Sequence, residues 1–151
     1  MRRFARLFAL TALCAATAAA APKAPPASIP NDFEIEQMAV DKDVVLGGVH
    51  LACTGIGETR ADPKWTDYPV RVEFSNARNE YMIDALVGLI DAKGEAVVVV
   101  RCDSPWLLLN PPPGTYSVYA HLMYSDARMR SARFTVPTKG QKRVVLQFPD
   151  S

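Results

Sequence analysis

The stretch EYMIDALVGLIDAKGEAVVVVRC, residues 80–102, decides the fold class. Its apolar residues recur at every second position, so Tyr81, Ile83, Ala85, Val87 and Leu89 share one side of an extended chain. An amphipathic helix would space them by three and four. Asp91-Ala-Lys-Gly94-Glu95 then interrupts the pattern with a glycine free to take positive φ, the mark of a hairpin turn. The segment after it, EAVVVVRC, is apolar on both faces, as in a strand covered from two sides. Two strands and a turn are therefore predicted.

The flanking sequence repeats the pattern. PVRVEFSN (69–76) sets Val70, Val72 and Phe74 against Arg71 and Glu73, and SNARNE follows as a turn. VVLGGVHLAC (44–53) is a β-branched run interrupted by Gly47-Gly48, read as a bulge. Downstream come PWLLLN, then TYSVYAHLMY with Tyr116, Val118, Ala120, Leu122 and Tyr124 on one face, then RMRSARFTVP and RVVLQF. Pro112-Pro113-Gly114-Thr115 suits a type II turn, with Pro113 presetting φ and Gly114 accepting positive φ. Short strands at near-regular spacing with turn signals between them predict an all-β protein, a single antiparallel β-sandwich. Alternation that buries Ala132, Phe134 and Val136 also buries Arg130, so a bulge near Ser131 is expected. FEIEQMA (33–39) fits either a short helical turn capped by Asn31 or Asp32, or an extended arm.

The N-terminus carries an export signal. Arg2, Arg3 and Arg6 precede an apolar run from Leu7 to Cys14, and Ala18 and Ala20 supply the small residues that a signal peptidase reads, with cleavage after Ala20. The run is shorter than the roughly 20 apolar residues of a membrane span, so no stable membrane insertion is expected after cleavage. Leu13 is bulky for lipidation at Cys14, and the residues around Arg2-Arg3 do not favour a twin-arginine signal. Residues 21–32, APKAPPASIPND, read as a proline-rich linker, leaving a domain over 33–151. The whole chain has 17 Lys and Arg against 16 Asp and Glu; losing the three leader arginines leaves 14 against 16, a net charge of −2. That balance offers no field for nucleic acid. Only Cys53 and Cys102 stay with the domain, and a periplasmic or secreted setting favours their pairing.

The run LLLNPPPGTYSVYA, following DALVGLIDAKGEAVVV, resembles the carboxypeptidase regulatory-like domains, which are transthyretin-like (prealbumin-type) β-sandwiches. The shared pattern is an apolar strand, a D-x-x-G turn at Asp91–Gly94, a second strand, and then L-P-P-G-x-Y-x-V; Asn110 and Pro111 depart from it. The resemblance covers roughly residues 69 to 148. GGVHLACTGIGE together with Cys102 is further similar to a group of small exported bacterial proteins carrying this domain. The resemblance implies an Ig-like or transthyretin-like sandwich and specifies no activity.

Several residues were weighed as chemistry. HLACTGIGETRADPKW (50–65) lacks the Lys-Ser or Lys-Thr of a phosphate loop and the glycine spacing of a dinucleotide site. His50 stands three positions from Cys53 and therefore faces away from it on a strand, which disfavours a thiol nucleophile. The favoured reading is a strand, a cysteine staple, a glycine turn and a short helical turn over Glu58 to Asp62 ended by Pro63. His50 and His121, the only histidines, have no metal-ligand spacing; His121 shares a face with Ser117, Tyr119 and Met123, read as the wetter one. No cofactor motif is present in the sequence. Arg128, Arg130 and Arg133, with Tyr119 and Tyr124 beside them, form a candidate anion-binding patch or a solvated sheet face. Trp65 is a candidate sugar platform or a cap on the end of the sandwich, and Trp106 is read as core beside the disulfide. The expected function is a non-enzymatic binding or accessory module for an envelope protein. The alternative is glycan binding through Trp65, Tyr119, Tyr124, Arg128 and Arg130, with hydrolase or metalloprotein third.

Overall fold

A computed structural model describes residues 34–151. The leader (1–20) and the linker (21–32) lie outside the described residues, as do the two candidate caps Asn31 and Asp32. The domain is an all-β sandwich. One sheet runs in the order β1 (Glu36–Gln37), β6 (Ala96–Cys102), β5 (Ala85–Ile90), β8 (Thr115–Leu122), β9 (Arg130–Thr135). The other runs β10 (Lys142–Phe148), β4 (Val70–Asn76), β7 (Trp106–Asn110), β3 (Val49–Thr54), β2 (Asp43–Leu46).

Period-two patterning makes this architecture. Val70, Val72 and Phe74 of β4 point inward, joined by Leu107 and Leu109, by Val144, Leu146 and Phe148, and by Val49, Leu51 and Cys53. The facing sheet contributes Ala85, Val87 and Leu89, Val98, Val100 and Cys102, and Tyr116, Val118, Ala120 and Leu122. Each such side chain contributes about 1.5–3 kcal/mol when removed from water, which is what holds the two layers together. Six of the eight strand pairings are antiparallel; β1–β6 and β10–β4 are parallel. Both exceptions involve the strands nearest the ends of the described chain, which reach their neighbours without a hairpin to impose direction.

The structure corrects several local expectations. Alternation from Tyr81 to Leu89 breaks at Asp84, whose φ of 59 reverses the chain, so β5 starts at Ala85 while Tyr81 and Ile83 are exposed. Gly47 and Gly48 are a hairpin turn rather than a bulge: Leu46 pairs with Val49, and both glycines have positive φ, as a two-residue primed turn requires. Gly114 takes positive φ as expected, but at 158° it stands far from the roughly +80° of a type II turn, so the proline segment is not that turn. It is closed instead by the Tyr116 hydroxyl, which donates to the Pro112 carbonyl at 2.9 Å. No bulge occurs at Ser131; β9 stays in register with β8, and Arg130, at the strand end, escapes the core by pairing with Asp150 at 2.8 Å. Residues 34–39 are extended, because the open edge of β6 offers partners to their backbone: Glu36 pairs with Val100, and the Met38 amide donates to the Arg101 carbonyl. The turns at 76–80 and 91–95 form as expected, each built on an Asn76 or Asp91 side chain accepting two backbone N–H groups.

Cys53 and Cys102 are bonded, with 5.6 Å between their Cα atoms. They join β3 of one sheet to β6 of the other. The chain from Met38 to Asp41 passes beside this link and bonds to both sheets, through the Arg101 and Cys53 carbonyls. Closing 49 residues of chain stabilises the fold by about 4 kcal/mol in the chain-entropy account. The double variant C53S/C102S is therefore expected to unfold at lower denaturant, destabilised by up to about 4 kcal/mol, with a steeper slope because its unfolded chain is less compact. A loss below about 0.5 kcal/mol would show that the link is not structural.

Candidate functional site

Strands β3 and β4 are not neighbours, because β7 lies between them. The connecting chain, residues 55–69, therefore crosses the outward face of the second sheet. It does so as two short 3₁₀ turns, Glu58–Ala61 and Pro63–Asp67. Asp62 caps the second by accepting the Lys64 amide, and Pro63 fits its first position, where no N–H is needed. Trp65 then packs with Tyr68 over Ala52 and Leu108 of the sheet, forming a small second core. Its indole N–H donates to the Thr59 carbonyl at 2.7 Å, and Gln141 donates to the carbonyls of Trp65 and Tyr68.

Next to this plug the same face carries a cluster of arginines and aromatics. One cross-strand row runs Val145, Glu73, Trp106, Thr54. The indole of Trp106 has the Arg71 guanidinium 4.4 Å from its ring centre and that of Arg60 5.4 Å away. Arg60 lies equally close to Tyr81, which meets Trp106 edge-on with ring centres 6.2 Å apart. Gly55 makes the arrangement possible: a side-chain carbon there would stand 2.8 Å from the indole, and its φ of 108 suits only glycine.

Glu73 is the electrostatic centre of the cluster. Its side chain is 98 % shielded; the carboxylate accepts from Arg143 at 2.7 Å and is ion-paired with Arg71, whose Nε lies 2.9 Å away without hydrogen-bond alignment. Holding a buried carboxylate requires such paired, hydrogen-bonded charge. Hydrogen bonding to Glu73 in turn raises the affinity of Arg143 for its proton. Arg60 has no carboxylate partner among the described residues and is held by ring faces alone. Three buried polar groups on this face, the Arg71 Nε, the Trp106 Nε1 and the Ser75 hydroxyl, have no hydrogen-bond partner. The cluster therefore has surplus donors and positive charge.

The residues expected from sequence are placed differently. Trp65 is 3 % exposed, so it offers no stacking face and does not cap the end of the sandwich. Tyr119 lies on the outward face of the other sheet and is 1 % exposed, so that face is not wet at its centre. Since the two sheets face outward in opposite directions, Trp65 and Tyr119 cannot meet one ligand. Tyr124 is 77 % exposed, with its hydroxyl accepting from Arg101 at 3.2 Å. The same Arg101 bonds Asp84 at 2.8 Å and holds that carboxyl below the usual carboxylate range. Arg128 is exposed before β9 and Arg133 is exposed on the outward face, whereas Arg130 turns the other way to Asp150. The three arginines form no common patch. Trp106 is buried as expected and its carbonyl lies 3.5 Å from the Cys102 sulfur, but its indole packs on the outward face rather than in the core between the sheets. His50 and His121 sit on different sheets, and no metal-binding group occurs among the described residues.

Sequence reasoning missed Arg60, Tyr81 and Glu73. Glu73 reads as solvated by alternation, yet it is shielded between Trp106 and Val145 on the neighbouring strands and under the side chains of Arg71 and Arg143. The available signal was Arg71-Val-Glu73, two opposite charges sharing one strand face. No protein-family model matches the chain, and no curated protein matches it.

Two outcomes follow from these burials. Glu73→Ala strips Arg71 and Arg143 of their acceptor and should cost about 2 kcal/mol in chemical denaturation; Arg143→Ala, at the exposed side, should cost under about 1 kcal/mol. Equal losses would deny Glu73 its central role. Burial pushes the Tyr119 phenol from 10.0 up to about 12, and its hydroxyl has no partner. Below pH 10 that phenol is neutral in both states; as pH rises from 10 through 12, the unfolded chain releases its proton first and stability falls. Tyr119→Phe should flatten part of this alkaline decline and gain about 1 kcal/mol at neutral pH, read by thermal unfolding across pH.

Proposed function

We propose that the protein is a non-enzymatic binding module of the periplasm or extracellular space, built on a transthyretin-like sandwich, and that it engages its ligand on the outward face of the second sheet. The arginine–aromatic cluster around Trp106 carries the reading. It rests on a central strand of a disulfide-linked scaffold, so its geometry is preorganised and little ordering accompanies binding. The disulfide suits an oxidising compartment. The Tyr116-to-Pro112 bond, which ties the arch entering β8, is the corner device of Greek-key sandwiches and supports the family resemblance.

Recognition fits this site better than catalysis does. Glu73 is 98 % shielded and ion-paired with two arginines, so it is covered by its own partners rather than presented to a ligand. The histidines lie away from the cluster, on different sheets.

The test is to load the purified protein with soluble envelope glycans and exported proteins, recover what it retains, and weigh the recovered material by mass spectrometry. The expected result is a ligand that is retained and chemically unchanged, and released by Arg71→Gln. A ligand recovered in altered form, in an amount exceeding the protein, would make the module an enzyme.

A further inference from the structure

We infer that the Trp106 cluster is an oxyanion receptor for an acidic saccharide, with Arg60 and Arg71 binding a carboxylate or phosphate group and Tyr81 presented to the sugar ring. The inference rests on the binding-module reading and names its ligand class.

Three features point to an anion. Arg60, Arg71 and Arg143 bring three positive charges against the single carboxylate of Glu73. Of the other acids near in sequence or register, none is ion-paired with these arginines: Asp41 accepts from the Thr54 hydroxyl at 2.6 Å, Glu80 is paired with Arg78, and Glu58 lies on an exposed turn. The Trp106 Nε1, in a side chain 94 % buried, is a donor left without an acceptor beside these arginines. Arg60 is the most telling element. Its guanidinium lies 5.4 Å from the centres of two aromatic rings and has no counter-ion among the described residues, which leaves its N–H groups for bidentate bonding to an oxyanion.

A sugar fits the remaining surface. Tyr81 is 41 % exposed beside Arg60, giving a ring next to a cation. That pairing matches a ligand whose apolar ring face and charged substituent are a few ångströms apart, as in a uronic acid or a sugar phosphate. A bare ion would use the arginines and leave Tyr81 idle.

The two tryptophans give separate readouts. In ¹⁵N–¹H spectra of the purified protein, the indole signal of Trp106 should move on titration with an oligogalacturonate or with a sugar phosphate. That of Trp65, already bonded to Thr59, should stay. The two probes decide whether carboxylate or phosphate is the better oxyanion, and the methyl-esterified oligomer should not bind. Arg60→Gln, at an exposed position, should lower affinity about tenfold without changing thermal stability, and Arg128→Gln should change neither. Added salt should weaken the complex. The inference is overturned if the Trp106 signal is unmoved by both probes at millimolar concentration, or if the methyl ester binds as well as the acid. A protein that retains another envelope ligand unchanged while Trp106 stays silent would refute the oxyanion site and leave the binding-module reading standing.

Discussion

Strand β7 separates β3 from β4, and the chain that joins them has to travel over the sheet's outward face. A hairpin would have left that face to water. Instead residues 55–69 lay Trp65 and Tyr68 on Ala52 and Leu108, and the sheet acquires a third partial layer. Glu73 is shielded on a face where alternation alone would leave it wet, and shielding obliges it to hold Arg71 and Arg143. Trp106 is covered on the same face, and the crossing chain delivers Arg60 to it. Gly55, at the start of the crossing, is the residue whose small size lets the backbone lie against the indole.

The inward faces were legible because a period of two is a local property. Val70, Val72 and Phe74, or Tyr116, Val118, Ala120 and Leu122, announce their side of the sheet without reference to anything distant, and the core contains them all. Turns whose chemistry is local were legible too, as at Asp91 to Gly94. What failed was local reading applied where the neighbour in space is remote in sequence. Gly47-Gly48 suits a bulge and a hairpin equally until Leu46 finds Val49. Arg130 looked misplaced only because Asp150, its partner, is 20 residues away.

The candidate site shows the same limit more sharply. Trp65, Tyr119, Tyr124, Arg128 and Arg130 were grouped by residue type, yet they distribute over both outward faces, the interior edge and a loop. Arg60, Tyr81 and Trp106 are 46 residues apart from first to last and are assembled solely by topology. Exposure was equally illegible. Tyr119 sits directly across from Gly88, which has no side chain to hold a ring off the sheet, and it is buried where a tyrosine on an outward face reads as wet.

Position within the sandwich also separates what is fixed from what is free to act. The disulfide and the Met38–Asp41 segment secure one side of the molecule by tying β3 and β6 together, and the Tyr116 hydroxyl ties the arch between β7 and β8. Strand β7 therefore has β3 and β4 as neighbours, a staple one strand away and an anchored exit. Trp106 projects from that strand. A side chain so mounted cannot relax toward a ligand, and the cluster around it has to be correct before a ligand arrives. In the receptor we propose, a counter-ion for Arg60 would consume the hydrogen-bonding capacity that its seat beside two rings leaves open.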